Sequence, residues 1–290
     1  MKNSAWSKLT DLLEMIKFSH TVFAFPFALM GVVLASLASG TAPGIEQIVW
    51  ICLAMVGART AAMGLNRIID ARIDADNPRT AERHLPAGKI AMGEAWLLVV
   101  AAFALLLLAA WMLNPLCLKL APVAIFLLVL YSYCKRFTAM AHIVLGLCLA
   151  SAPIGAWIAL RGDIGWPVIV LGLAVLFWVA GFDIFYALQD YEFDRHKGLF
   201  SIPSRFGIKR SFQITRLFHV VMVALLVVLF LSKGLGIIYL LGVAVVAALL
   251  IYEHLLVSPD DLSRLDAAFF NMNGYISVTI FLFTLADALT

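Results

Sequence analysis

The sequence predicts an all-α, multi-pass membrane bundle of about nine transmembrane helices, and three observations carry that prediction. First, the 290 residues are 63% hydrophobic and 13% charged, with a mean hydropathy of +0.98; this is about half the charged share of a soluble domain. Such a chain cannot supply a polar shell in water. Second, apolar segments near the roughly 20 residues of a membrane helix recur along its length. Third, the charges gather in the connections between those segments.

The first segment, near 17–39, follows Lys2, Lys8 and Glu14 and runs too long for a cleaved signal peptide, so none is expected. The second, near 46–69, holds one interior charge, Arg59. The third and fourth, near 93–113 and 115–134, are divided by a short break after Leu113. Segments near 139–160 and 166–189 follow, then 213–233 and 235–256, divided by a short break after Lys233, and finally 269–289. Eight helices with one re-entrant piece is the alternative count. With the N-terminus inside, 17 Lys and Arg residues face the cytoplasm, and only Lys119, Arg161 and Lys233 lie outside. That asymmetry predicts a cytoplasmic N-terminus in the cell's inner (cytoplasmic) membrane. The net charge of +3 is too small to imply a nucleic-acid partner. Cys52, Cys117, Cys134 and Cys148 show no metal-like pairing and read as small core residues.

Two connections are long and polar, 70–92 and 190–212, and each follows a segment that ends in acidic residues. No repeat, linker or low-complexity stretch divides the chain, so residues 1–290 read as a single domain. Where the second segment meets the first connection, Asn66, Asp70 and Asp74 recur every fourth residue, which places them on one face if the helix continues. Carboxylates spaced so repel one another unless a cation joins them, and magnesium takes such hard oxygen ligands together with substrate phosphate. A solvated helix end, with the acids paired to Arg67, Arg72 and Arg79, is the plainer reading of this stretch alone. The second stretch places Asp183, Tyr186, Asp190 and Asp194 near one helical face. A charge at Asp183, inside a lipid-length run, is a functional candidate by default. Two such clusters at the same membrane face point to two metal-assisted anion sites rather than coincidence.

Basic side chains able to neutralise a diphosphate are Arg59, Arg79, Arg83, Lys135 and Arg136. Lys135 and Arg136 fit equally well as a positive-inside anchor. His20 either packs or contacts an acceptor's carboxylate. Phe23, Phe25 and Phe27 either shield a cation or pack against lipid. His84, His142, His196, His219 and His254 show no metal-ligand spacing, and Glu253 with His254 reads as interfacial.

On these residues the chain resembles the UbiA superfamily of intramembrane aromatic prenyltransferases over nearly its whole length. Asn66, Asp70 and Asp74 are similar to the family's first motif, Asn-Asp-x-x-Asp-x-x-x-Asp, with Arg67 where many members carry the first Asp. Arg79, Thr80, Arg83, Leu85, Pro86 and Gly88 match its usual continuation. Asp183, Tyr186, Ala187, Asp190 and Asp194 are similar to the second motif, and Tyr131 with Lys135 and Arg136 to the short motif closing the fourth helix. Arg67 and Arg72 in the first motif, with Ser19 to Phe23, resemble the 4-hydroxybenzoate polyprenyltransferase subgroup, which includes prenyltransferases of the futalosine route to menaquinone.

The resemblance implies nine helices around a central cavity open to lipid, and Mg2+-dependent transfer of a polyprenyl group from its diphosphate to an aromatic acceptor. That acceptor is 4-hydroxybenzoate or a hydroxynaphthoate, on the way to ubiquinone or menaquinone. Asn66, Asp70 and Asp74 would hold one metal ion, and Asp190 and Asp194 another. Asp70, Asp183, Tyr186 and Asp190 would carry catalysis; Arg67, His20 and Tyr131 would contact the acceptor or shield the cation. Transfer to haem, a tetrapyrrole or a lipid is the alternative within the superfamily. A transporter is the alternative outside it, and it would bury its acids near the bilayer midplane beside broken helices.

Overall fold

A computed structural model describes residues 5–16, 23–232, 234–265 and 271–290. Every named element in it is helical. In chain order these are α1 (Ala5–Met15), α2 (Phe25–Ser39), α3 (Ile45–Asp76), α4 (Met92–Leu113), α5 (Pro115–Cys134), α6 (Ala141–Arg161) and α7 (Trp166–Ala187). After a single 3-10 turn, Leu188–Asp190, come α8 (Tyr191–Lys197), α9 (Ile202–Phe206), α10 (Ile208–Leu229), α11 (Ile237–Leu256) and α12 (Asn273–Ala288). Among the described residues seven helices are long and apolar enough to cross a membrane: α3 to α7, α10 and α11. The shorter α2 and α12 fall where the first and ninth segments are expected, so each of the nine expected segments contains a helix. In lipid this is the economical outcome, because a helix satisfies its backbone hydrogen bonds internally.

Two boundaries differ from the expected ones. α3 continues to Asp76, seven residues past the expected end, so the first connection is 77–91 rather than 70–92. The second connection carries α8 and α9 and ends earlier, where α10 starts at Ile208. Gly40 and Gly162 stop α2 and α6 in the left-handed conformation, φ +68° at each, and their amides bond back to Ser36 and Ile158.

The described residues pack as two compact units. One contains α1, most of α3, α4 and α5 as far as Tyr133; the other contains α2 and everything from Cys134 onward. In the first unit Met15, Ile16, Leu65, Ile68, Ile90, Ala95 and Val99 form one buried cluster. α3 and α4 lie so close that a Cβ on Gly57 would meet the backbone of Ala102 and Leu106 at 2.8 and 2.9 Å. Small residues at such crossings let backbones approach where lipid gives no hydrophobic drive for association.

The second unit is organised around α7, which packs against α6 and α10 and is buried along most of its length. α2 lies against α6, and its Phe27 ring sits 4.9 Å from Trp178 on α7, with Phe23 6.1 Å from Phe182. These two phenylalanines therefore pack on protein. α11 pairs with α12, whose Asp287 carboxylate accepts from the Gly236 and Tyr239 amides and so caps the start of α11. The last turn of α11 departs from expectation. Glu253 is fully buried and His254 bonds His219 at 3.1 Å, because α10 and α12 pack against α11 rather than leaving its end at an interface.

The α6–α7 crossing supplies a test. A Cβ on Gly146 would stand 2.5 Å from the Leu176 carbonyl oxygen, whereas one on Gly155 of the same helix meets nothing within 4 Å. Gly146→Ala should destabilise the detergent-solubilised protein by about 1–3 kcal/mol. Gly155→Ala should leave its thermal midpoint unchanged or raised. Equal midpoints for the two variants would contradict this packing.

Candidate functional site

The extension of α3 is what builds the first cluster. Because the helix runs unbroken through Asp76, Asn66, Asp70 and Asp74 stand one turn apart on a single face. The Asn66 amide donates to Asp70 Oδ2 at 3.2 Å, and Asp70 is only 2% exposed. Asp74 is buried too, and the following loop folds back to meet it: Arg83 Nη1 donates to both Asp74 oxygens at 2.8 Å. Thr80 Oγ1 donates to the Asp74 carbonyl at 3.0 Å, which satisfies one open acceptor at the helix end. Arg79 is exposed in this loop, and Arg59 is half-buried about two turns before Asn66. Arg67, also buried, donates from its Nε to the Met15 carbonyl of α1 at 3.4 Å.

The second cluster is not on one continuous α-helix. α7 ends at Ala187, and the 3-10 turn Leu188–Asp190 winds more tightly before α8 begins. Three residues of 3-10 geometry turn the chain roughly 60° further than α-helix would. Asp190 and Asp194 are therefore rotated relative to Asp183 and Tyr186 from where a regular helix would put them. Asp183 Oδ2 lies 2.7 Å from His142 Nδ1, and the other nitrogen of that ring accepts from the Ile202 amide at 3.2 Å. Asp194 lies near enough to Asp190 for their charges to repel, with Lys135 and the Ser201 hydroxyl beside it. The second connection is fastened from two sides: the Phe200 amide donates to the Lys135 carbonyl at 2.7 Å, and Ser201 caps α9. Lys135, Arg136, Tyr131, Tyr186 and Asp190 are all half-buried.

The UbiA prenyltransferase family matches residues 24–275, a span that includes every residue of both clusters. The chain belongs to that family. Among similar proteins, the 4-hydroxybenzoate octaprenyltransferase of Nitrosospira multiformis is 31% identical over 247 residues, 84% of each chain. A UbiA homolog from Aeropyrum pernix K1 shares the fold at a TM-score of 0.84 and 32% identity, covering 93% of this chain and 98% of that one. A UbiA homolog from Archaeoglobus fulgidus, solved bound to GPP and Mg2+, superposes at a TM-score of 0.72 with 23% identity, over 97% of this chain and 100% of that one.

This UbiA-family chain is accordingly a multi-pass membrane prenyltransferase. Within its first unit the structure brings together Asn66, Asp70, Asp74 and Arg83; within its second it gathers Lys135, Asp183, Asp190 and Asp194. His20 lies outside the described residues. Two partners were not legible in the sequence. Arg83, expected among the diphosphate-binding residues, pairs with Asp74. His142 carries no local signal, since it reaches Asp183 across 41 residues and from another helix. A third cluster ties α1 to the first loop, with one ligand atom each of Asp11, Glu14 and His84 within 4.8 Å of the others.

The Asp74–Arg83 pair yields a double-mutant test. Arg83→Ala leaves a buried carboxylate without its donor and should destabilise the protein by about 1–3 kcal/mol. Asp74→Asn in the same chain should recover most of that loss, because the stranded charge is gone. Thermal unfolding of the two single variants and the double variant, read as a cycle, checks this; strictly additive losses would show that the pair is not coupled.

Proposed function

We propose that the chain transfers a polyprenyl group from its diphosphate to the ring of a hydroxylated aromatic acid, 4-hydroxybenzoate or a hydroxynaphthoate, in ubiquinone or menaquinone synthesis. The observation that carries this reading is the pair of carboxylate clusters, each at the end of a long apolar helix and each beside basic side chains. The activity of the Nitrosospira relative supports the aromatic acceptor. The GPP- and Mg2+-bound Archaeoglobus homolog supports the donor and the metal. A transporter is disfavoured because the acids stand in the last turns of α3 and just beyond α7 rather than at mid-helix.

The donor sets fit magnesium. An amide and two carboxylates share one face of α3, and Asp190 and Asp194 crowd like charges together, an arrangement that a hard cation relieves. Asn66, Asp70 and Asp74 would hold one ion and Asp190 and Asp194 a second, together supplying Lewis-acid stabilisation of the departing diphosphate. Arg59, Arg79, Arg83, Lys135 and Arg136 add positive charge to the diphosphate-binding surface, Arg83 after releasing Asp74. The bond from the allylic carbon to the diphosphate oxygen breaks, and the aromatic ring forms a new carbon–carbon bond there and then loses its proton. Asp183 takes the acceptor's hydroxyl proton or orients that hydroxyl. Tyr186 and Tyr131 shield the allylic cation, with Arg67 and His20 at the acceptor. Water is kept out, because it would capture the cation as a prenyl alcohol.

The whole chain, residues 1–290, serves as one catalytic domain. The excess of basic residues in alternate connections supports a cytoplasmic N-terminus and a reaction at the cytoplasmic face of the inner membrane.

Purified protein in lipid, given Mg2+, a polyprenyl diphosphate and either 4-hydroxybenzoate or 1,4-dihydroxy-6-naphthoate, should prenylate one of them. Chelation should stop the reaction and added Mg2+ restore it. Asp70→Ala and Asp190→Ala should abolish product while the protein stays inserted and folded; near-normal product from either would sink the metal assignment. Asp183→Asn should lower turnover more than diphosphate affinity, and a loss confined to diphosphate binding would remove Asp183 from the acceptor.

A further inference from the structure

His142 stands where three segments of the second unit meet: the first turn of α6, the last turns of α7 and the start of α9. It is 3% exposed. Its Nδ1 lies 2.7 Å from Asp183 Oδ2, and the Ile202 backbone N–H is directed at its Nε2 at 3.2 Å. A backbone amide only donates, so Nε2 must be the unprotonated nitrogen. The ring proton then sits on Nδ1, and Nδ1–H donates to Asp183. A second proton on Nε2 would face the Ile202 N–H and break that bond. His142 is thus held neutral in one tautomer, and Asp183 accepts as a carboxylate. No hydrogen bond from the described residues reaches its other oxygen, Oδ1.

We propose that His142 is a positioning residue that fixes Asp183 in one rotamer, with Oδ2 saturated and Oδ1 left for the acceptor's hydroxyl, and that couples this carboxylate to the second connection through Ile202. The proposal rests on the reading of Asp183 as the acceptor-facing group. It also gives the second connection a role in catalysis: the segment that places Ser201 beside Asp194 also sets the tautomer of the ring behind Asp183. His142 does not itself relay the acceptor's proton, because its only open nitrogen is occupied by an amide that cannot accept.

The two halves of this device can be separated by substitution. In His142→Asn the side-chain amide reaches the place of Nδ1, keeping a donor to Asp183 and losing the acceptor for Ile202. In His142→Gln the longer side chain reaches the place of Nε2, keeping the acceptor and losing the donor. Loss of a hydrogen bond to a charged group predicts that His142→Gln lowers kcat on the order of 10–100-fold, against about 3-fold for His142→Asn. KM for the polyprenyl diphosphate should be held in both. Equal falls in kcat that follow the thermal midpoints of the two variants would overturn the proposal and leave His142 a packing residue.

A second measurement needs no substrate. Nitrogen NMR of histidine-labelled protein in micelles, with the His142 signal identified by its disappearance in His142→Gln, should show a proton on Nδ1 and none on Nε2. The opposite tautomer or a doubly protonated ring would overturn the proposal. Because that signature requires no acceptor, failure of the prenyl-transfer reading would leave it in place, whereas failure of this inference removes it.

Discussion

A carboxylate at the end of an apolar helix is stable only if something meets it, since an unpaired charge in a poorly hydrated site costs several kcal/mol. Much of this chain's loop structure follows from that requirement. Asp74 is met by Arg83, Asp183 by His142, and Asp287 by the first amides of α11. In the first case the connecting segment itself folds back to supply the donor. In the second the donor comes from a neighbouring helix and is in turn steadied by the following connection. The loops are therefore not free spans between helices; their conformations are set by the charges beneath them.

The same requirement explains how the buried acids of the first cluster stay close to the surface. Asp70 and Asp74 are buried, yet Asp74 is held by a side chain from a surface connection rather than from the helix core. In the second cluster Asp190 and Asp194 are close enough for their charges to repel, and the Ser201 hydroxyl and the Lys135 charge offset that repulsion.

The spans were legible because a membrane helix needs an apolar run of fixed length, and the spacing of Asn66, Asp70 and Asp74 was legible because a helix repeats about every four residues. The rest was not. Charged residues from Asp70 to Asp76 look like a loop in composition, and only the returning Arg83 and Thr80 show why α3 continues through them. Nothing in Leu188 to Asp190 announces a 3-10 turn, so the regular face expected for the second motif was too simple. The surroundings of His142 and Glu253 were not legible for a different reason. Their roles depend on which helices become neighbours, and that information is not local.

The length of α3 has a consequence of its own. Its 32 residues, at a rise of 1.5 Å each, make a rod about 48 Å long, against a hydrocarbon layer of about 30 Å. The rod overshoots the oily layer, and its last third, with the carboxylate ladder, can stand at headgroup depth. α3 thus works as a depth gauge: its length sets how far above the acyl chains the carboxylates of its last turns stand. A thicker bilayer draws the ladder inward and a thinner one lifts it clear, so the hydration of Asp70 and Asp74 is set by the surrounding lipid as well as by the fold.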